Sequence, residues 1–296
     1  MKQATRLQAL SDDETAQAQI VAQYDSVDGH LFYQKVMGAD ADFSHFGIFQ
    51  TPIDSLATSA KNSVAVMAQT ADQYVSLKGA RVADLGSGYG GSARHWVAHF
   101  GCDMDCINLC PQQNSRNQQA NVEAGLDQQI RVAAGNLLAL PDVWTATFDA
   151  VNCQDVLCHV YNKREALAQA FRILKPGGVL VFSDIMAGVR ATDDMQAAFS
   201  QHNVGDIVRL KTYQTLLQEC GFEWLGFDDY SNDFGQFSQK MADTLTENRT
   251  ELMAAGMSEA YLERFLHSLL QRRQLAQQQV FQWGIFCVRK PSLAAD

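Results

Sequence analysis

The 296-residue chain predicts an α/β protein built on a doubly wound, mainly parallel sheet of about seven strands. Three observations predict it. From residue 79 onward, short apolar runs rich in β-formers alternate with helix-period runs. A glycine-rich turn closes the first of those apolar runs. The segment before residue 79 and the segment 231–279 lack strand patterning, so they read as a helical N-terminal cap and a helical insertion before the last strand.

Taken in order, residues 1–78 form the expected cap, with helices over 11–24 and 53–77. The core spans 79–230 and opens with strand Arg81–Leu85, the turn 86–91 and a helix from Ser92 to Phe100. A strand from Met104 to Leu109 stops near Pro111, and a polar helix over 112–124 ends at Gly125. Ile130–Ala134 and Phe148–Cys153 read as further strands. In 163–174, Leu167, Ala170, Phe171 and Leu174 fall on one stripe, as in a helix lying on a sheet. Lys175-Pro176-Gly177-Gly178 ends it, and the continuously apolar Val179–Phe182 reads as a buried strand. A helix over Thr212–Cys220 and a strand over Phe222–Tyr230 complete the core. The insertion 231–279 carries a stripe of Leu262, Phe265, Leu266, Leu269 and Leu270, and 280–296 supplies a final strand, Phe281–Val288, and a tail.

Composition narrows the partners. Apolar residues make up 47% and charged residues 19%, which suits a packed core and excludes a disordered chain. Lys plus Arg is 23 against 33 Asp plus Glu, a formal charge of −10. That balance argues against nucleic acid and against an anionic membrane surface. No run of about 18 apolar residues could span a membrane. The first twenty residues lack the apolar core of a signal peptide, so a cytoplasmic protein is expected. The seven cysteines are odd in number and contain no Cys-x-x-Cys pair. Neither a disulfide framework nor a metal site is expected. A homo-oligomer is left open.

The turn Gly86-Ser87-Gly88-Tyr89-Gly90-Gly91 at the carboxyl end of the first strand is where an open α/β sheet binds ligands. Three readings compete: a corner shaped only by packing, a dinucleotide site and an S-adenosylmethionine site. A dinucleotide site calls for an acid about 20 residues on, for the ribose. Asn108 stands there instead. Asp84, two residues before the first glycine, would repel a pyrophosphate and would suit the ammonium of S-adenosylmethionine.

Val82-Ala83-Asp84-Leu85-Gly86-Ser87-Gly88-Tyr89-Gly90 resembles the first motif of class I S-adenosylmethionine-dependent methyltransferases, which have a Rossmann-like fold. Leu174-Lys175-Pro176-Gly177-Gly178 resembles the turn before their fifth strand, and Gly135-Asn136-Leu137-Leu138-Ala139-Leu140-Pro141 the segment that reaches the adenine. The resemblance implies a methionine end lined by Asp84, Gly86 and Gly88, a ribose contact near Asn108, and an adenine bracketed by Asn136 and Leu137. Tyr33, Ser87, Leu109, Gln113 and Gln154 complete the expected cofactor-binding set.

Three segments narrow the family: the run from Tyr24-Asp25-Ser26 to Ser44-His45-Phe46-Gly47, Cys106-Ile107-Asn108-Leu109-Cys110-Pro111, and Gln154-Asp155-Val156-Leu157-Cys158-His159. They resemble the sarcosine/dimethylglycine N-methyltransferases that make glycine betaine and, more distantly, phosphoethanolamine methyltransferases. Met37-Gly38-Ala39 stands where that group tends to carry Trp-Gly-Gly. The resemblance implies a small-molecule amine as acceptor. An amine arrives protonated, and histidine is the side chain that titrates near neutrality. His159 and Tyr24 are therefore the expected catalytic residues, and His45, Tyr24 and His159 the expected substrate contacts. A methylated ammonium suits aromatic faces, with Tyr24, Phe32, Tyr33, Phe46 and Tyr161 as candidates. Arg190, Arg209 and Lys211 are the candidate partners for a substrate carboxylate. Transfer to a phosphobase, or to sulfur or oxygen on a small acid, and a non-catalytic cofactor-binding protein remain as alternatives.

Overall fold

A computed structural model describes residues 15, 17–22, 24, 26–37, 42–192 and 207–292. Of the expected first helix, 11–14 lie outside these residues, and 17–22 are helical. The helices α1 (Val27–Val36) and α2 (Leu56–Asp72) follow. The hydroxyls of Ser26 and Ser55 begin them, each accepting from a backbone N–H three residues on.

The core then runs β1 (Arg81–Leu85), α3 (Gly91–Phe100), β2 (Asp103–Asn108), α4 (Pro111–Glu123), β3 (Ile130–Ala134), β4 (Phe148–Gln154), α5 (Lys163–Ile173), β5 (Leu174–Ala187), α6 (Leu210–Glu219) and β6 (Glu223–Asp229). It closes with α7 (Ser231–Glu247), α8 (Arg249–Ala254), α9 (Glu259–Gln277) and β7 (Phe281–Arg289). Pro111 opens α4, where its missing N–H costs nothing. The insertion is three helices, broken at Asn248 and at Gly256, whose φ is +105°. Strand β5 is much longer than the apolar run that marks it, because β4 pairs along one edge and β7 along the other.

The seven strands form one sheet in the order β3-β2-β1-β4-β5-β7-β6. Neighbours among β1 to β5 are parallel, and β7 is antiparallel to both β5 and β6. Alternation splits the core. Val82, Val179, Val181 and Trp283 face one layer, with Val64, Trp96 and Leu269 from α2, α3 and α9. Ala83, Leu180, Phe182 and Phe286 face the other, with Leu167 and Tyr213 from α5 and α6. In α9 the buried line is Tyr261, Leu262, Phe265, Ser268, Leu269 and Arg272, whereas Leu270 is 45% exposed.

Both ends of the chain build the cap. The carboxylate of Asp28 in α1 accepts from the backbone N–H and the hydroxyl of Ser258, the N-cap of α9. Phe32 of α1 lies 4.2 Å, centroid to centroid, from Phe265 of α9.

Under the glycine turn, α4 buries a polar face. Asn121 Nδ2 donates to Asn117 Oδ1, and the Arg94 guanidinium donates to Asn117, Asn121 and the Tyr89 carbonyl. Gly90 rests directly on this ladder at φ +80°, and a Cβ there would lie 2.0 Å from Asn117 Oδ1. We expect Gly90→Ala to destabilise the protein by about 2–4 kcal/mol, from left-handed strain plus overpacking. Chemical denaturation of both proteins measures it.

Candidate active site

The carboxyl ends of β1, β2 and β4 and the cap enclose a cleft of about 790 Å³ that opens to solvent. Its walls are Gly86 and Gly88 of the turn, Asn108 and Leu109 after β2, Asn136 and Leu137 after β3, Gln154 to Val156 and His159 after β4, and Tyr24 of the cap. A smaller hollow shares Ser44, Gly86 and Gln154 with the cleft and adds Asp84, Ser87 and His45.

The turn can approach a ligand because Gly86 and Gly88 take φ of +80° and +50°. A Cβ on Gly86 would meet Val156 Cγ2 at 2.4 Å. Asp84 is buried, and Asn152 Nδ2 donates to its Oδ1 at 2.8 Å. Among the described residues its Oδ2 is buried with no hydrogen bond. Burial pushes its carboxyl up to about 7, against the lowering influence of the Asn152 amide. An orphaned carboxylate oxygen beside a bare-backbone turn is what an ammonium-bearing amino-acid tail would complete.

The smaller hollow also holds a buried imidazole. Ser92 Oγ donates to Gln154 Oε1, and Gln154 Nε2 lies 3.0 Å from His45 Nδ1. His45 Nδ1 also lies 3.0 Å from the Phe46 carbonyl, which only accepts, so the hydrogen sits on Nδ1, and among the described residues the buried Nε2 has no hydrogen-bond partner. Burial lowers the His45 pKa, and the Asp155 carboxylate opposes that. Further along, Asn108 Nδ2 donates to Gln113 Oε1, so the amide expected to meet a ribose is held by Gln113.

At the other end of the cleft, Tyr24 Oη and His159 Nε2 are 3.5 Å apart, the long edge of a hydrogen bond. His159 ends a short 3-10 turn, Leu157–His159, directly after β4. Tyr24 stacks on Tyr33 at 5.5 Å. Burial raises the Tyr24 hydroxyl well above its usual value, and the neighbouring Tyr33 phenol adds to the rise. It is therefore a proton donor at neutral pH, and His159 is the partner able to accept.

Sequence-predicted residues thus fall into two groups. Asp84, Gly86, Ser87, Gly88, Asn108, Leu109, Gln113, Asn136, Leu137 and Gln154 line the cleft and its hollow, with His45 among them. Tyr24, Tyr33 and His159 gather at the cap end. Phe32 is fully buried core, Tyr161 is 40% exposed, and Arg190 and Lys211 lie at the surface. The Arg209 guanidinium donates to the carbonyls of Gly188 and Ala191. Two residues escaped the sequence reading. Asp155, at φ +55°, accepts from Phe46 N, Ser183 Oγ and Trp283 Nε1, tying the cap loop to the sheet. Arg272 is buried in α9, and its signal was a charge in an apolar register, seven residues after Phe265.

The family model described as a methyltransferase domain matches residues 83–182. A dimethylglycine N-methyltransferase of Parasynechococcus marenigrum (strain WH8102) is 30% identical over 270 residues, covering 90% of this chain and 94% of that protein. The chain belongs to the S-adenosylmethionine-dependent methyltransferases. The sarcosine/dimethylglycine N-methyltransferase of Aphanothece halophytica is 29% identical, covering 90% of the methyltransferase chain and 95% of its own. A crystal structure from Galdieria sulphuraria, of a protein assigned as a sarcosine dimethylglycine methyltransferase, superposes with a TM-score of 0.84 at 27% identity, over 91% and 99% of the two chains. S-adenosylmethionine is the cofactor of this methyltransferase, and the site's unpaired Asp84 oxygen fits its ammonium. Among the described residues, no cluster of three or more His, Cys, Asp or Glu could hold a metal ion, and no helix is long and apolar enough to cross a membrane.

Asp84 gives this methyltransferase a pH signature. Its folded pKa lies above the unfolded value, so the unliganded fold is favoured below the unfolded pKa and loses that contribution as pH rises toward about 7. Binding an ammonium favours the ionised form. We expect affinity for S-adenosylhomocysteine to rise up to about tenfold per pH unit below about 7 and to level off above it. Calorimetry in two buffers should register proton release on binding at about pH 6 and little at about pH 8, and Asp84→Asn should abolish the difference.

Proposed function

We propose that this methyltransferase methylates the nitrogen of sarcosine or N,N-dimethylglycine, towards glycine betaine. The observation that carries the reading is the placement of the Tyr24–His159 pair at the cap end of the cleft, in a chain whose relatives are named for those acceptors. Aromatic faces around the pair support a methylated ammonium.

The bound cofactor supplies a methyl group on a sulfonium centre. The residues do the rest. Asp84 holds the ammonium of the methionine tail through ionic pairing, and the buried His45 imidazole beside it is a contact for the acceptor. The turn at Gly86 and Gly88 lets the backbone close on the donor, and Asn108 with Gln113 meets the ribose. Asn136 and Leu137 bracket the adenine. Tyr24 and Tyr33 close the cap and exclude water, which leaves the acceptor in line with the methyl group. His159 takes the proton of the acceptor ammonium, freeing its lone pair, and the Tyr24 hydroxyl holds the ring and is positioned to relay that proton. All seven cysteines are free, consistent with the cytoplasmic location we infer.

Supplied with S-adenosylmethionine, the protein is expected to add one methyl to dimethylglycine and two to sarcosine, read by mass. His159→Ala should lower kcat on dimethylglycine by about 100-fold or more while S-adenosylhomocysteine binding is retained. Tyr24→Phe should lower kcat less and leave the cofactor affinity unchanged. Phosphoethanolamine as the preferred acceptor would overturn the reading.

A further inference from the structure

The start of the cap loop is fastened to the glycine turn by one side chain. Asp42 and Ser44 line the hollow that holds Asp84, and Ser44 also reaches the cleft. Arg94 stands one turn into α3, and its side chain is only 11% exposed. Its guanidinium fork meets three segments at once. Nη2 pairs with Asp42 Oδ2 at 2.6 Å and donates to the Tyr89 carbonyl of the glycine turn at 2.7 Å. Nη1 donates to Asn121 Oδ1 at 2.9 Å and to Asn117 Oδ1 at 3.3 Å, both in α4. The backbone repeats the link to the cap loop. Gly91 N–H donates to the Asp42 carbonyl at 3.2 Å, and a Cβ on Gly91 would lie 2.5 Å from that oxygen. Ser44 then passes close over the turn, its Oγ 3.1 Å from where a Cβ on Gly88 would stand.

Only a guanidinium offers enough donors in one fixed plane to hold four acceptors from three segments. We propose that Arg94 is a positioning residue for the donor: by clasping Asp42 to the glycine turn, it sets the shape of the hollow that takes the amino-acid tail of S-adenosylmethionine. This rests on the reading of that hollow given above and deepens it. Arg94 acts through the turn and the cap loop, without touching the donor itself. Two other roles make different demands. A residue that only stabilised the fold would leave donor affinity unchanged. A residue that acted only by its charge would give shifts of opposite sign when Arg94 and Asp42 were neutralised in turn, because they carry opposite charges. A clasp gives losses of the same sign from either partner.

Calorimetric titration with S-adenosylhomocysteine tests this. Arg94→Gln should raise Kd by at least about tenfold, and Asp42→Asn, at the half-exposed partner, by at least about threefold. The double variant should match Arg94→Gln within about twofold, because the clasp is already open. Arg94→Lys can still pair with Asp42 but cannot hold the other three acceptors, so its Kd should lie between those of the wild type and Arg94→Gln. Binding stoichiometry equal to that of the wild type shows that a variant is folded. If Arg94→Gln does not fold, Asp42→Asn and Arg94→Lys decide. An unchanged Kd in the folded variants, shifts of opposite sign from Arg94→Gln and Asp42→Asn, or fully additive losses in the double variant overturn the role of Arg94 alone. A wild-type affinity that Asp84→Asn leaves unchanged overturns the reading of the hollow, and this role with it.

Discussion

One carboxylate holds the site together. Asp155 follows directly on β4 in a left-handed backbone conformation that costs about 1–3 kcal/mol in a residue other than glycine. What sustains it is a set of three donors from three places: Phe46 N–H of the cap loop at 2.9 Å, Ser183 Oγ of β5 at 2.6 Å and Trp283 Nε1 of β7 at 2.8 Å. Charge-assisted bonds of this kind are strong and directional. Through them the cap loop, the middle of the sheet and its inserted antiparallel strand are fixed relative to one another. The turn that ends at His159 begins two residues later, so its position follows from the same anchor.

Around that anchor the two sides of the cleft differ in character. Beside the glycine turn a carboxyl, Asp84, is buried with one oxygen unsatisfied among the described residues, a costly state that an ammonium would relieve. On the cap side the neighbours are aromatic, with Tyr24 stacked on Tyr33 next to His159. A second buried acid supports the His159 turn from behind. Asp184 accepts from the backbone N–H of Cys158 and from the Tyr213 hydroxyl, so the residue next to His159 is tied to β5 and α6.

The donor end could be read from the sequence because its chemistry is local. A strand, an acid and a glycine turn follow one another within ten residues, and the periodic runs after them fix the sheet. Asn108, Asn136 and Gln154 fall at the carboxyl ends of successive strands, where the fold makes their meeting predictable. The cap end resists such reading because its residues converge from remote places. Tyr24 and His159 are 135 residues apart in sequence, and only the family resemblance paired them. Asp155 needs donors from Phe46, Ser183 and Trp283, which no local pattern brings together. The mixed sheet escaped for a similar reason: an apolar strand does not record the direction of its neighbours.

The division of the cap between the two chain ends has a consequence for biosynthesis. Asp84, Asn108, Asn136 and Gln154 all lie in the first half of the chain or just beyond it. The opposing wall waits for α9, which docks on α1 through Asp28 and Ser258. Asp155 too gains its bond to Trp283 only with β7, so neither the cap loop nor the wall above the cleft is fixed until the last strand has been synthesised.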